Sequence, residues 1–290
     1  MFKFIKATVI VAFICGLTAC ASNKVKSRDL YASSVEITNL LGNIGGSGIV
    51  LFSKPNLSLV LTNSHVCGVV THGGVVSNRM GKFIVAQYKR SRQTDLCLIK
   101  VYANLGARTV ISSHAPILYH TRVLVSGHPS LLPDVITSGV LSGKRLINVM
   151  IGVRPCTQQD ENDPNNGPYC AIFGEVPVLK EYNSALVSAT IMPGSSGSGV
   201  YNMKHELIGV VFAGSSQFGY GWTISYQDMM HFLFVEQQTL PYVTPTNNPD
   251  PSVQDQEDSE KEFMTKLNNF CNSTSQKYKN HICDTINVDY

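Results

Sequence analysis

Residues 44–213 are built of short runs rich in Val, Ile and Leu separated by turns, with almost no long stretch of 3.6-residue helical period. That texture restricts the chain to an all-β barrel or sandwich. The apolar runs 45–52 and 58–62 flank a turn at Pro55 and Asn56 and read as a hairpin. A second pair is expected at 82–88 and 95–101, with the polar residues 89–94 between them. The same pattern resumes at 122–127, 135–141, 185–190 and 207–213. One helix is expected over 228–237, where Met229, Met230, Phe232, Leu233 and Phe234 make a broad apolar face.

Composition narrows the partners. With 290 residues and 43% hydrophobic content the chain can bury real cores as one large or two ordinary domains, which excludes a disordered or fibrous protein. Charged residues are 15%, the formal balance is +3 and no Lys/Arg stripe interrupts the sequence, so no nucleic-acid partner is expected.

Lys3 and Lys6 precede the apolar run 7–17, the layout of a secretory signal too short to span a bilayer comfortably. It ends Leu17-Thr-Ala-Cys20, which resembles the bacterial lipobox, where cleavage before the cysteine leaves a thiol that carries lipid. An ordinary signal cut near Ala19 or Ala21 is the other reading. The expectation is a signal over 1–19 and a tether over 20–30. Cys20 would be lipidated, anchoring an exported lipoprotein of the cell membrane or outer membrane that faces the periplasm or the extracellular space. After residue 237 the composition turns Pro/Asn-rich and then acidic, which reads as an exposed linker over 238–259 and a tail over 260–290.

Six of the eight cysteines remain once Cys15 leaves with the signal and Cys20 is set aside for lipid, and an even remainder in an exported chain suggests disulfides. Cys156 and Cys170 flank the turn-rich loop 157–169, and Cys271 and Cys283 close a short tail loop, so each pair is expected to join locally. Cys67 and Cys97 are left for each other by elimination, or stay as free buried thiols.

Three segments together make a catalytic case. Leu61-Thr-Asn-Ser-His65-Val places a histidine just past an apolar strand, and Asp95-Leu-Cys-Leu-Ile99 opens another with an acid. Gly194-Ser-Ser196-Gly-Ser198 is a small-residue loop. Acyl transfer by serine needs a base for the hydroxyl proton, a carboxylate that fixes the base's tautomer, and backbone donors for the oxyanion. Singly each segment is common. In the order His, Asp, Ser, each with a matching flank, they resemble the trypsin/chymotrypsin-like serine proteases, in particular the short bacterial branch with the HtrA-type and glutamyl-endopeptidase-like enzymes. Gly46-Ser-Gly48-Ile-Val, Val123-Leu-Val-Ser-Gly127 and Leu207-Ile-Gly-Val-Val211 are softer matches.

The resemblance implies two six-stranded antiparallel barrels, about 31–117 and 118–237, with the site in the crevice between them and a short helical, disulfide-closed tail behind. His65 would be the base and Asp95 its orienting carboxylate. Ser196 would be the nucleophile, since only it sits in Gly-x-Ser-Gly register, and the amides of Gly194 and Ser196 the oxyanion hole. The primary pocket maps to Thr190, Val211 and Gly214, with 219–221. Thr190 is not an acid and Val211 is not the histidine of glutamyl-specific relatives, so a small or uncharged apolar side chain is expected there. Phe212 and Ala213 depart from the family, which commonly has a serine and an aromatic residue.

The chain has no His-Glu-x-x-His and no Cys-x-x-Cys, so neither metal nor cofactor is expected. About fifty residues follow Gln238, too few for the PDZ domain of HtrA-type enzymes. The expected function is an exported serine endopeptidase acting through an acyl-enzyme on a protein or peptide substrate. The alternatives are an inactive protease-fold lipoprotein that binds a protein or peptide, and a β-sandwich adhesin in which the three motifs are coincidental.

Overall fold

The computed structural model describes residues 30–246 apart from 107, 118 and 216–218. The signal, Cys20, most of the tether, the tail and the Cys271/Cys283 pair lie outside the described residues.

The first sheet contains β1 (Ser34–Asn39), β2 (Gly45–Lys54), β3 (Leu57–Thr62), β4 (Gly74–Asn78), β5 (Gly81–Ile84), β6 (Gln87–Arg90) and β7 (Cys97–Val101), in the order β5-β4-β1-β2-β3-β7-β6. Its two ends are continuous in sequence. The Val85 N–H donates to Gly74 O on β4 and the Ala86 N–H to Lys100 O on β7, both at 2.9 Å. Residues 81–90 therefore act as one kinked strand that pairs with β4 and then with β7, closing a six-stranded barrel.

The second sheet contains β8 (Val110–Ile111), β9 (Thr121–Gly127), β10 (Val135–Pro155), β11 (Glu175–Val187), β12 (Gly199–Asn202), β13 (Glu206–Ser215) and β14 (Tyr220–Ile224). Its order is β12-β9-β10-β11-β14-β13, and β13 pairs back onto β12, so six strands close here too, with β8 added in parallel beside β13.

The near-continuous apolar runs have a direct cause: several strands are buried on both faces. In β2, β3 and β7, Val50, Val60 and Ile99 fill the first barrel, while Ile49, Leu61 and Leu98 point out of it. They meet Tyr201, Leu207, Phe212 and Ile224 of the second barrel and Met229 and Phe232 of the C-terminal helix. At about 1.5–3 kcal/mol per fully buried large side chain, this shared seam is what holds the barrels in one arrangement.

Two stretches differ from the sequence-based expectation. Strands expected at 135–141 and 185–190 continue to 155 and begin at 175, forming a long arm with register shifts between Ser142/Lys144 and Met150/Gly152. Beyond the barrel the arm carries exposed Leu146 and Leu179, while Lys180 and Ser184 lie on the more buried side of β11 with Val176 and Tyr182, so residue type follows no strict alternation. The expected turn-rich loop at its tip contains two short helices, Gln158–Glu161 and Gly167–Phe173, joined by a Cys156–Cys170 disulfide. Arg154 donates to both carboxylate oxygens of Asp160 (2.6 and 2.7 Å). That bond and those from Thr157 hold the Asp160 carboxyl well below the usual carboxylate range.

The other difference lies past the helix Tyr226–His231, which is capped by Ser225 and continues through Phe232–Glu236. Residues 240–246, expected to be exposed linker, run along the first barrel. Val243 exchanges two hydrogen bonds with Tyr88 (2.9 and 2.8 Å), and the Thr246 N–H donates to Thr71 O (2.8 Å). The Tyr242 ring takes the ammonium groups of Lys89 and Lys100 at 4.2 and 3.6 Å. The outer edge of β6 has backbone groups to offer, and the strap takes them.

Candidate active site

Past Thr62 the chain turns into the short helix Ser64–Val69, which puts His65 in its first turn with an N–H that has no partner inside the helix. Asp95 supplies one. Its Oδ1 accepts the His65 backbone N–H at 3.0 Å and its Oδ2 accepts from His65 Nδ1 at 2.6 Å. Asn63, fully buried, donates from Nδ2 to Asp95 O at 2.9 Å and fixes the backbone that presents the carboxylate. An ionised carboxylate can only accept, so the proton sits on Nδ1 and Nε2 is left with a lone pair. The imidazole is 35% exposed and the Asp95 side chain 10%, so the base meets the crevice while its partner lies behind it.

Tyr182 lies close enough to Asp95 to feel its charge. Tyr182 and the fully buried Phe212 pack with ring centroids 5.5 Å apart. Burial, and after it the charge of Asp95, pushes the Tyr182 phenol above its ordinary range. Phe212 occupies a position where the resembled family commonly places a serine.

A disulfide ties the two segments together. Cys67 and Cys97, each two residues from His65 and Asp95 respectively, are bonded and fully buried. The bond spans 30 residues of sequence, which in the chain-entropy account corresponds to about 3–4 kcal/mol. The double variant Cys67→Ala/Cys97→Ala is expected to lose stability of that order in denaturant unfolding; a change below about 1 kcal/mol would contradict this assignment of the link.

The loop 191–198 joins β11 to β12 and is held from several sides. Ser195 N–H donates to Met192 O (2.9 Å), Gly197 N–H to Val211 O (2.8 Å) and Ser198 N–H to Ser195 O (2.9 Å). The Ser130 N–H donates to Pro193 O (2.5 Å). Gly194 and Gly197 take φ of +85° and +86°, and a Cβ on Gly197 would stand 1.9 Å from Ser47 O, so only glycine fits there.

The serines separate by environment. Ser195 and Ser198 are buried, and Ser195 Oγ accepts the Met192 N–H at 3.2 Å, whereas Ser196 is partly exposed. Ser196 O accepts the Ser47 N–H of the first barrel at 2.7 Å. A Cβ on Gly46 would touch both Ser196 O and the side chain of Val66, so the Ser196 backbone lies beside the His65 helix. Among the described residues, the amides of Gly194 and Ser196 take part in no backbone hydrogen bond, in contrast to those of Ser195, Gly197 and Ser198.

Of the residues mapped to a primary pocket, Thr190 is exposed and Val211 is fully buried within the second barrel. Gly214 pairs with Gly221 across β13 and β14. Sequence reasoning missed Ile191. Its side chain fills the space over that glycine pair: a Cβ on Gly214 would come within 2.5 Å of Ile191 Cγ2, and one on Gly221 within 2.4 Å of Cγ1. The available signal was an isoleucine directly after Thr190, just ahead of the Gly/Ser run 194–199. Among the described residues, no three His, Cys, Asp or Glu side chains gather to hold a metal.

No curated protein matches the chain in sequence. Solved structures with the same fold include the Rv3671c protease of M. tuberculosis in its active form, at 17% identity and a TM-score of 0.55 over 76% of this chain and 89% of that one. The inactive form of its Ser343Ala mutant matches at 18% and 0.53, over 74% and 93%. A serine endoprotease from Yersinia pestis matches at 20% and 0.52, over 72% of this chain and 64% of its own. The family model of the trypsin-like peptidase domain matches residues 46–210. That stretch is more than half of the chain and contains His65, Asp95 and Ser196 together with the strands that carry them, so the protein belongs to the trypsin-like peptidase family.

Proposed function

We propose that the protein is an active serine endopeptidase in which Ser196 is the nucleophile, His65 the general base and Asp95 the carboxylate that orients it. The observation that carries this reading is the pairing of His65 with Asp95 through both its backbone N–H and Nδ1, opposite a loop whose Gly194 and Ser196 amides are unspent. Ser196 Oγ attacks the scissile carbonyl as its proton passes to His65 Nε2, and the amides of Gly194 and Ser196 take the developing oxyanion. The tetrahedral species collapses as Nε2 returns the proton to the leaving amine, leaving an acyl-enzyme that water hydrolyses by the same steps. Ile191 over Gly214 and Gly221 leaves little depth for the side chain preceding the cleaved bond, which favours a small aliphatic residue there.

The enzyme acts outside the cytoplasm, directed by the signal over 1–19 and held to a membrane through lipid on Cys20. The Cys67–Cys97 and Cys156–Cys170 disulfides are in keeping with an oxidising compartment.

Labelling with a fluorophosphonate probe tests the chemistry, because the probe needs a serine whose base and oxyanion donors are in place. The wild type is expected to label, and Ser196→Ala and His65→Ala to lose the label while staying folded. A folded wild type that takes no label would favour the inactive, partner-binding alternative.

A further inference from the structure

The loop that carries Ser196 belongs to the second barrel, yet one residue of the first barrel holds its two central carbonyls. Ser47 lies in β2 and is fully buried. Its N–H donates to Ser196 O at 2.7 Å and its Oγ–H donates to Gly194 O at 2.7 Å. The same Oγ accepts the His128 N–H at 2.8 Å, and Ser47 O accepts from Thr62 Oγ1 at 2.7 Å. All three polar atoms of this serine are engaged, three of the four bonds reaching the second barrel.

The effect falls on Gly194. Glycine turns more freely than any other residue, so the direction of its N–H has to be set from outside. A peptide unit is planar, and holding its carbonyl aims its N–H. The unit before Gly194 is held by the Ser130 N–H on Pro193 O, and the unit after it by the Ser47 hydroxyl on Gly194 O. These clamps are joined, because the Ser47 oxygen that donates to Gly194 O also takes the N–H of His128, two residues before Ser130. Ser130 and Leu131 sit at positive φ (52° and 57°), so the segment that supplies the Ser130 N–H is itself strained and relies on such anchors.

We propose that the Ser47 hydroxyl is the positioning residue of the oxyanion hole: by holding Gly194 O and the His128 N–H at once, it fixes the peptide unit that follows Gly194 and anchors the segment whose Ser130 N–H holds Pro193 O, the carbonyl of the unit that carries the Gly194 N–H, so that this N–H stays directed into the crevice. Ser47 touches no substrate. It makes the site conditional on the docking of the two barrels, since a shift along their seam withdraws the hydroxyl and frees the donor. The inference rests on the serine endopeptidase reading of the same site.

The test compares wild type with Ser47→Ala and, as a graded change that keeps a weak donor, Ser47→Cys. The readouts are kcat and KM on a peptide substrate, the inhibition constant of a peptidyl boronic acid that mimics the tetrahedral species, and the thermal midpoint. Misaiming one oxyanion donor is expected to lower kcat by about 100-fold, with KM changed by no more than about threefold. Boronate affinity should fall in step with kcat, and Ser47→Cys should lie between the two. Should Ser47→Ala fail to fold, Ser47→Cys carries the comparison on the same readouts. A folded variant with kcat near wild type overturns the proposal, as does a loss of kcat with boronate affinity unchanged, which is the mark of fewer folded molecules. A wild type that neither cleaves nor takes the fluorophosphonate label overturns the endopeptidase reading and this inference together. An active wild type matched by Ser47→Ala overturns this inference alone.

Discussion

Replacing Asp95 with Asn is expected to lower kcat by about four orders of magnitude while the protein stays folded and KM changes little. The size of the effect follows from a shortage of acceptors. His65 presents two donors to this one side chain, its backbone N–H to Oδ1 at 3.0 Å and its Nδ1–H to Oδ2 at 2.6 Å. A carboxylate accepts at both oxygens, but an amide accepts at one and donates at the other. The backbone N–H cannot change its character and the imidazole can. The amide oxygen therefore stays with the backbone and its NH2 faces Nδ1, which must become the acceptor. The ring proton then moves to Nε2, the atom that has to receive the proton of Ser196. Burial adds to the cost, because the Asp95 side chain is only 10% exposed and has little access to water that could substitute for the lost charge. The measurement is steady-state turnover of Asp95→Asn beside wild type, with thermal unfolding of both. A folded variant that retains more than about a tenth of wild-type kcat would remove Asp95 from the mechanism.

The sequence made the fold legible wherever burial and turn chemistry agreed. The strands β2, β3, β7, β9 and β13 lie where apolar runs end at Pro, Asn or Gly, because those runs are packed on one barrel interior and on the seam. The arm was not legible beyond Leu141, since its more buried side carries Lys180 and Ser184 beside Val176 and Tyr182 while Leu179 is exposed, so residue type does not follow the alternation of burial. The strap 240–246 was missed for a different reason. Its hold on β6 runs through backbone bonds at Val243 and the contact of Tyr242 with two lysines, and neither leaves a hydrophobic period in a Pro-rich stretch.

At the candidate site, sequence alone pointed to His65, Asp95 and Ser196 because a serine mechanism calls for those residue types, and the structure pairs His65 with Asp95 and sets the Ser196 backbone beside the His65 helix. Supporting residues carry weaker marks. Asn63 acts through one buried side-chain bond and Ser47 through ordinary serine and backbone bonds, of kinds many polar residues make elsewhere, so nothing in their neighbours announces them. Ser47 was visible only as part of a Gly-rich strand start. The glycines beside it proved to be the better signal, because Gly46 and Gly197 mark where the two barrels' backbones come close enough to exclude a Cβ.

Opening the space over the glycine pair is expected to change which bonds the enzyme cuts. Ile191 is 3% exposed, and its Cγ atoms occupy the room that side chains on Gly214 and Gly221 would take. On the proposed reading, a substrate residue preceding the cleaved bond enters only to the depth Ile191 leaves, and Ala or Val is expected to be accepted ahead of Leu or Phe. Ile191→Ala removes three carbons from that point. Each methylene that a pocket accepts or refuses is worth about 10-fold or more in kcat/KM, so the preference for Leu over Ala should rise by about 100- to 1,000-fold. The cost appears in stability, because truncating a buried isoleucine to alanine takes about 2–5 kcal/mol and Ile191 packs with Val187, Ala189 and Val211 in the second barrel. Selectivity and stability can be read separately. A ratio of two kcat/KM values is independent of the folded fraction, while denaturant unfolding reports the fraction itself. Profiling a peptide set that varies only the residue before the cleaved bond, on both proteins, decides the matter. Parallel profiles at lower overall activity would mean that Ile191 only supports the barrel and that the side chain preceding the cut is accommodated elsewhere. A shift toward larger aliphatic residues, with the profile at other positions unchanged, assigns the depth of the pocket to Ile191 itself.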